Sequence, residues 1–154
     1  MSELQVKIVT MPPGRFLSAY GFGASPEGSA AEKMKNFLQA KGLWESYGDA
    51  IPHYGFNNPN PTSGSPNYGY EIWAGVPEQI EPQADLKVVL FPGGRYAVTR
   101  FENLENIGRV WKDLVHWREN SSYLPAHHQW LEHLLNPRET DPSRYDFELF
   151  LPVR

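Results

Sequence analysis

The sequence contains no cysteine among its 154 residues. Disulfide frameworks, thiolate nucleophiles and cysteine-based zinc sites are therefore excluded. Long apolar runs are also missing: no segment approaches the roughly 20 residues that a membrane-spanning helix needs. Residues 1–9 have no apolar stretch of signal-peptide length. We therefore expect a cytoplasmic protein that does not partner with a membrane.

Positive charge is scarce as well. The chain has 14 basic and 18 acidic residues, a formal net charge of −4, and no stripe of Lys or Arg. Direct binding to nucleic acid has no electrostatic basis in such a sequence. Gly93-Gly94 lacks the Lys and Ser or Thr that complete a phosphate-binding loop, and no other cofactor motif is present. We expect no cofactor.

Aromatic residues, in contrast, are abundant at 14% of the chain, with 5 Trp, 8 Tyr and 8 Phe. Such a set builds either a core of large side chains or a ligand pocket walled by rings, since apolar ligand sites favour aromatic walls with a few polar groups. Composition leaves both interpretations open.

The chain carries an internal repeat. The segment KIVTMPPGRFLSAY (7–20) aligns without a gap with KVVLFPGGRYAVTR (87–100), and YGYEIWAGV (68–76) aligns with YDFELFLPV (145–153). Self-similarity of this kind indicates one duplicated and fused unit. We interpret residues 1–154 as a single domain with internal repeats over 4–76 and 84–153.

Each repeat has the same predicted order of elements. Two β-branched, apolar segments flank a Pro/Gly turn and predict a hairpin, with strands over 6–11 and 16–21, then 86–91 and 96–101. A segment with helical spacing follows in each repeat, and two more extended segments close it: 53–56 and 68–76, then 129–134 and 145–153. The sequence therefore predicts an α+β fold built from a duplicated β-β-α-β-β unit, with pseudo-twofold symmetry, antiparallel strands and one main helix per unit.

These features resemble a known family. The Pro-turn-Gly-Arg-Tyr-Ala stretch, YGFNNPNP followed by YGYEIW, a Trp-containing second helix and a final strand ending in LPV are similar to the GyrI-like domain. That domain is also the effector-binding half of some AraC-type and MerR-type transcription regulators. The resemblance covers the chain from about Leu4 to Val153, in the stand-alone form.

The resemblance implies a function. Family members bind bulky, apolar, often cationic compounds in a pocket between the two halves, and some sequester drugs. Others hydrolyse cyclopropane-bearing alkylating toxins, and the founding member inhibits DNA gyrase. For this chain we accordingly expect a module that sequesters or senses an apolar, aromatic or cationic small molecule. A hydrolase of strained electrophiles and a protein-binding inhibitor remain alternatives, and a separate protein partner stays open.

Glu132 is the main candidate site residue. The family's pocket carries a buried Glu on the first late strand of the second half, and the matching position is Glu132 in HHQWLEHLL. The family pattern has Tyr two residues later, where this chain has Leu134. Strand alternation places Trp130, Glu132 and Leu134 on one face. An offset of 76 residues makes Phe56 the counterpart of Glu132 in the first repeat, so that a carboxylate replaces a ring.

Glu132 suits either of the two main functions. It would hold a ligand cation in a binding module, or act as general acid or base in a hydrolase. A surface carboxylate, or one satisfied by a Tyr hydroxyl, is the alternative without function. The other candidate ligand contacts are rings that strand or helix period turns inward, about half of which we expect to touch ligand: Tyr20, Tyr54, Tyr70, Phe91, Tyr96, Trp111 and Phe147.

Two further sets of residues have weaker claims. His127, His128 and His133 lie near Glu132, but neighbouring strand residues point to opposite faces, so we expect no metal site. Glu71 and Glu148 match each other in the repeat, and we expect both to be solvated or salt-bridged. Glu71 also stands two residues before Trp73, which makes it a candidate second wall of the pocket.

Overall fold

The computed structural model describes residues 4–83 and 85–154. The chain divides into two compact units. We call Gly14–Phe91 the central unit, and we call Met1–Pro13 together with Pro92–Arg154 the terminal unit. Ala84, where the second sequence repeat begins, lies outside the described residues.

Both units contain strands and one main helix. The strands of the terminal unit are β1 (Lys7–Met11), β6 (Gly94–Glu102), β7 (Leu131–Leu134) and β8 (Asp146–Val153), and its helix is α2 (Ile107–Glu119). The strands of the central unit are β2 (Gly14–Gly23), β3 (His53–Asn57), β4 (Tyr68–Ala74) and β5 (Leu86–Phe91), and its helix is α1 (Pro26–Ala40).

All strand pairs within the units are antiparallel. In the described part of the chain, β6 of the terminal unit lies between β1 and β8, and β8 also pairs with β7. In the central unit β2 lies between β5 and β4, and β4 also pairs with β3. The α+β class, the antiparallel strands and the single main helix in each repeat are thereby confirmed.

The predicted hairpins are wrong. Strand β1 pairs with β6, with Lys7 opposite Val98, and β2 pairs with β5, with Ser18 opposite Lys87. Tight hairpin turns need positive φ at their central residues, whereas Pro12 and Pro13 are both locked near −65°. The chain therefore stays extended through the Pro-Pro step, and each repeat gives its first strand to the unit that contains the other repeat's helix.

The segment Pro92-Gly93-Gly94, between β5 and β6, depends on glycine. Gly93 adopts a φ of +81°, and a Cβ there would lie 2.6 Å from the carbonyl oxygen of Met11. A side chain at Gly93 would strain its own backbone and collide with the end of β1. The Pro92-Gly93-Gly94 segment therefore runs past Met11 and Pro12 and does not form a β-turn.

Each helix buries one face on its own sheet. Helix α1 begins with Pro26 at its first turn, where a missing N–H costs little, and ends before Gly42, which has a φ of +70°. Its buried residues include Met34 and Leu38, which pack with Leu17 of β2. The corresponding core of the terminal unit joins α2 to β6 and β8, with these fully or almost fully buried residues: Val110, Leu114, Ala97, Leu149 and Leu151.

Asn103 precedes the second helical segment. The Asn103 side chain accepts a hydrogen bond from the Glu105 N–H at 3.1 Å. A short 3-10 turn, Leu104–Asn106, comes first, and the α-helix starts only at Ile107. The asparagine therefore caps the turn before the helix.

None of the helices in the described ranges is long and apolar enough to span a bilayer.

Candidate functional site

Glu132 lies in the middle of β7, on the face of the sheet that α2 covers. It stands opposite Leu149 of β8, a fully buried member of the α2 core. From α2, the indole Nε1–H of Trp111 donates to Oε2 of Glu132 at an N···O distance of 3.4 Å. The helix and the short strand therefore hold a partly buried carboxylate against an aromatic ring.

A second tryptophan extends this surface. The ring centroids of Trp111 and Trp130 are 5.3 Å apart at an interplanar angle of 39°. Trp130 keeps 40% of its surface exposed. The guanidinium of Arg118 lies 5.8 Å from the Trp130 ring centroid, and its Nη1 donates to the Pro152 carbonyl at 2.9 Å. Arg118 is buried and anchored to the sheet, so it fixes one side of the exposed ring.

An open groove of about 470 Å³ runs along these two rings. We call it the tryptophan groove, and its lining residues are Trp111, Lys112, Val115, His116, Glu119 and Trp130. Lys112 and Glu119 put one charge of each sign on its rim. Glu132, held by Trp111, adds a carboxylate next to the rings. Flat aromatic faces beside a carboxylate suit a ligand that is both apolar and cationic.

The central unit holds a different aromatic cluster, on the face of its sheet opposite α1. Phe16 stacks on Trp73 at 5.5 Å, and Phe56 meets Trp73 edge to face at 5.0 Å. Tyr54 and Phe91 approach Phe16 at 5.9 and 6.2 Å. These rings are largely buried, so most of them form a second core of the central unit.

Glu71 belongs to this cluster. It accepts hydrogen bonds from Ser18 Oγ at 2.8 Å, Asn58 Nδ2 at 2.6 Å and Trp73 Nε1 at 3.3 Å. The expectation that Glu71 is a solvated or salt-bridged surface group is wrong, because it is partly buried and hydrogen-bonded to neutral groups. Its two-residue spacing from Trp73 was the sequence signal for this position, since residues i and i+2 of a strand share a face.

Glu148, the match of Glu71 in the second repeat, is salt-bridged as predicted. Lys7 Nζ lies 3.0 Å from its Oε2, and His133 Nδ1 lies 3.4 Å from its Oε1. The two matched glutamates therefore have different partners.

The register corrects the assumed counterpart of Glu132. Phe56 stands opposite Glu71, and His133 stands opposite Glu148. Because the two glutamates match in the repeat, Phe56 corresponds to His133 and the counterpart of Glu132 is Gly55. A slip of one residue reverses the face of every side chain in a strand. Glu132 does not replace a ring, because its counterpart Gly55 has no side chain, and a Cβ at Gly55 would lie 2.2 Å from the Tyr70 hydroxyl.

The predicted ring residues fall on different surfaces. Within the terminal unit, Trp111 contacts Glu132, and Phe147 stands opposite Leu134 on the same face. Tyr96 is fully buried on the other face, where its hydroxyl donates to the Gln129 carbonyl. The terminal unit thus brings Trp111 and Phe147 to the face of Glu132 and keeps Tyr96 away from it.

The central unit also distributes its candidates over two faces. Tyr54 and Phe91 lie in the aromatic cluster, and Tyr70 lies on the α1 side of β4. Tyr20 stands opposite Glu71 with 38% of its surface exposed, so the prediction that it faces inward is wrong. It lies on the outer part of β2, beyond the cluster.

His133 gives the stability of the protein a pH dependence. Burial lowers its pKa below the ordinary value of 6.5, and this outweighs the opposing effect of Glu148. The unfolded chain therefore binds a proton at His133 more readily than the folded protein does. We expect the free energy of unfolding to fall as the pH drops below about 6.5.

Urea unfolding at a series of pH values between about 7.5 and 5 measures this effect. The variant His133→Gln should show a shallower decline than the wild type. His127→Gln, which removes an exposed histidine, should decline as the wild type does. Parallel curves for the wild type and His133→Gln would contradict the assignment.

Within residues 4–83 and 85–154, no group of three or more His, Asp or Glu side chains is arranged to hold a metal ion.

Comparison with known families decides what kind of domain this is. The model of the Cass2 family, described as integron-associated effector binding protein, matches residues 7–153. The chain belongs to this family. The match covers both repeats and confirms the resemblance to GyrI-like effector-binding domains. It places the chain among domains that bind small-molecule effectors. No curated protein matches its sequence.

Solved structures share the fold at low sequence identity. The C-terminal domain of EcmrR matches with a TM-score of 0.71 at 12% identity, covering 98% of both chains. A hydrolase encoded by lin2189 from Listeria innocua matches with a TM-score of 0.68 at 14% identity, covering 99% of this chain and 93% of the other. SAV2435, solved with bound tetraphenylphosphonium, has a TM-score of 0.57 at 12% identity, covering 98% and 94%.

EcmrR has also been solved in a complex with DNA. This match has a TM-score of 0.71 at 13% identity and covers 97% of this chain. This chain spans 57% of the EcmrR chain in that complex. At these identities the likeness shows a common fold and no more.

Proposed function

We propose that the chain binds a bulky, largely apolar organic cation in the tryptophan groove, beside Glu132. The observation that carries the proposal is the contact between the Trp111 indole and the Glu132 carboxylate, because Trp111 also lines the groove together with the more exposed Trp130. A delocalised cation would place its rings on the tryptophans and its charge within reach of the carboxylate.

Among the charges around the groove, we assign the contact with a bound cation to Glu132. Lys112 and Glu119 offset each other on the exposed rim, where solvent screens both. Glu132 is partly buried, so its charge is screened less. The Arg118 guanidinium sits against Trp130 and donates to a backbone carbonyl. By contacting the ring, Arg118 fixes the orientation in which Trp130 can stack on a ligand.

The fold relatives support this class of ligand. SAV2435, which shares the fold, was solved with tetraphenylphosphonium, a bulky cation with four phenyl rings. The chain would act as an effector-binding module that senses or sequesters such compounds. No described feature favours hydrolysis over binding, so the proposal is limited to binding.

Titration calorimetry with tetraphenylphosphonium tests the proposal, with neutral triphenylphosphine oxide as the comparison ligand. Glu132→Gln removes a charged partner, so it should weaken binding of the cation by about 1–3 kcal/mol, roughly 5- to 150-fold in Kd. The neutral ligand should bind the variant and the wild type equally. Glu105→Gln, which removes an exposed carboxylate from the 3-10 turn, controls for net charge and should change neither affinity. Equal losses for both ligands would remove Glu132 as the counter-ion.

A further inference from the structure

The duplication provides an internal comparison between two matched carboxylates, Glu71 and Glu148. Glu71 lies on β4 and Glu148 on β8, and each stands two residues before a buried ring, Trp73 or Phe150. Each stands opposite a residue of the neighbouring late strand, Phe56 or His133. Differences around the two carboxylates therefore reflect changes since the repeats were identical.

Glu148 is compensated by the protein itself. The Lys7 ammonium contacts one of its oxygens at 3.0 Å and the His133 imidazole contacts the other at 3.4 Å. Lys7 reaches Glu148 from β1, where it stands opposite Val98 of β6. One cation and one titratable ring thus occupy the space in front of this carboxylate.

Glu71 lacks both of these partners. Phe56 replaces the histidine, and Ser18 replaces the valine and donates to Glu71. Lys87 matches Lys7 in the repeat and stands opposite Ser18, but it is exposed and forms no ion pair with any described residue. Among residues 4–83 and 85–154, no cationic side chain lies within salt-bridge distance of Glu71. Its donors are all neutral.

The three donors hold the carboxylate and leave it one acceptor position. Oε1 accepts from Ser18 and Trp73, and Oε2 accepts from Asn58. A carboxylate offers about four lone-pair sites, so Oε2 has room for one more donor. Ser18 is buried, with 6% of its surface exposed, and Glu71 is partly exposed. The buried Ser18 and Trp73 therefore hold Oε1, the exposed Asn58 holds Oε2, and the carboxylate as a whole is partly exposed.

Exposed rings continue the surface outward from Glu71. Tyr20 stands directly opposite Glu71 on β2, and two residues further along the same face Phe22 keeps 60% of its surface exposed. Gly69 stands opposite Phe22, where the Tyr20 hydroxyl occupies the space that a Cβ would need. Large exposed rings on one side of a fixed carboxylate provide faces on which a cation and its aromatic substituent can rest.

We propose that Glu71, with Tyr20 and Phe22, forms a second binding site for a small aromatic ammonium ion, whose positive charge takes the place that Lys7 has beside Glu148. The ammonium would donate to Oε2 of Glu71, and its ring would lie on Tyr20 and Phe22. This site belongs to the central unit and is separate from the tryptophan groove, so it does not rest on the function proposed above.

Indole N–H resonances in a ¹H–¹⁵N NMR titration test this site, because the Trp73 N–H donates to Glu71. The probe is 2-phenylethylammonium chloride and the neutral comparison is 2-phenylethanol. The Trp73 resonance, identified by its loss in Trp73→Phe, should shift saturably with the cation. The neutral alcohol should bind at least about tenfold more weakly, in line with a charged hydrogen bond.

Matched variants complete the test. Glu71→Gln should raise the dissociation constant of the cation at least about tenfold, whereas Glu148→Gln should change it by no more than about twofold. Amide dispersion in the same spectra shows whether each variant is folded, and the comparison of cation with alcohol stands on the wild type alone. A Trp73 resonance that does not move, or that responds equally to both ligands, overturns the second site. Shifts confined to Trp111 and Trp130 overturn it too, while leaving the tryptophan groove as a binding site.

Discussion

Replacing Gly21 by alanine should destabilise the protein by about 3 kcal/mol or more, the upper range for overpacking. A Cβ at Gly21 would lie 2.3 Å from the carbonyl oxygen of Pro26 and 3.0 Å from the backbone nitrogen of Ala30. Both atoms belong to the first turns of α1, whose backbone lies directly on β2. Since no flexible side chain can move aside, the helix itself would have to shift.

Gly28→Ala is the matched control. Gly28 lies in the same helix, and a Cβ there meets no atom within 4 Å. Alanine is a better helix former than glycine, so this variant should gain roughly 0.5–1 kcal/mol. For a chain of this length, thermal melting should show a midpoint about 6–12 °C lower for Gly21→Ala and a few degrees higher for Gly28→Ala. A wild-type midpoint for Gly21→Ala would contradict the close approach of β2 and α1.

Replacing Trp111 by alanine should have the largest effect on ligand binding. Trp111 supplies a wall of the tryptophan groove and the indole N–H that orients Glu132. Truncation of a central aromatic contact typically costs about 2–4 kcal/mol, so tetraphenylphosphonium should bind roughly 30- to 1000-fold more weakly. This loss should exceed that of Glu132→Gln, because stacking and the orientation of the carboxylate are lost together.

Two milder variants separate these contributions. Trp111→Phe keeps an aromatic face and removes the donor to Glu132, so it should fall between the wild type and Trp111→Ala. Trp117→Phe changes a tryptophan of the same helix that stacks on Tyr123 and does not line the groove. It should bind as the wild type does. Calorimetric titration of the four proteins measures the order, and a loss in Trp117→Phe equal to that in Trp111→Ala would point to a general loosening of α2.

The sequence predicted the elements better than their partners. The repeat located all eight strands of the described chain to within a few residues and predicted one main helix in each repeat, because each element carries its own apolar pattern and turn residues. The strand pairing failed at Pro12 and Pro13. Consecutive strands joined by a short turn commonly form a hairpin, and only the fixed φ of the two prolines argued against a hairpin here. Pairing between Lys7 and Val98 is non-local, and no local pattern encodes it.

The side of the sheet to which a side chain points was harder to predict where a strand is buried on both sides. In β2 the run from Phe16 to Ala19 is buried throughout, with Leu17 toward α1 and Phe16 in the aromatic cluster. Alternation cannot tell two buried faces apart. The counterpart of Glu132 was displaced by one residue because the offset of 76 came from aligning Asn60-Pro61 with Asn136-Pro137, and these pairs lie in loops of different length. The sequence matched Glu71 with Glu148, but it did not show that Phe56 pairs with the first and His133 with the second.

The most direct test of the central claim is a crystal structure of the protein with bound tetraphenylphosphonium. The phosphonium should lie in the tryptophan groove, with a phenyl ring on Trp130 and its charge within about 6 Å of the Trp111 ring, the range of a cation–π contact, on the side of Glu132. A cation bound to the terminal unit away from Trp111 and Trp130 would contradict the proposed site.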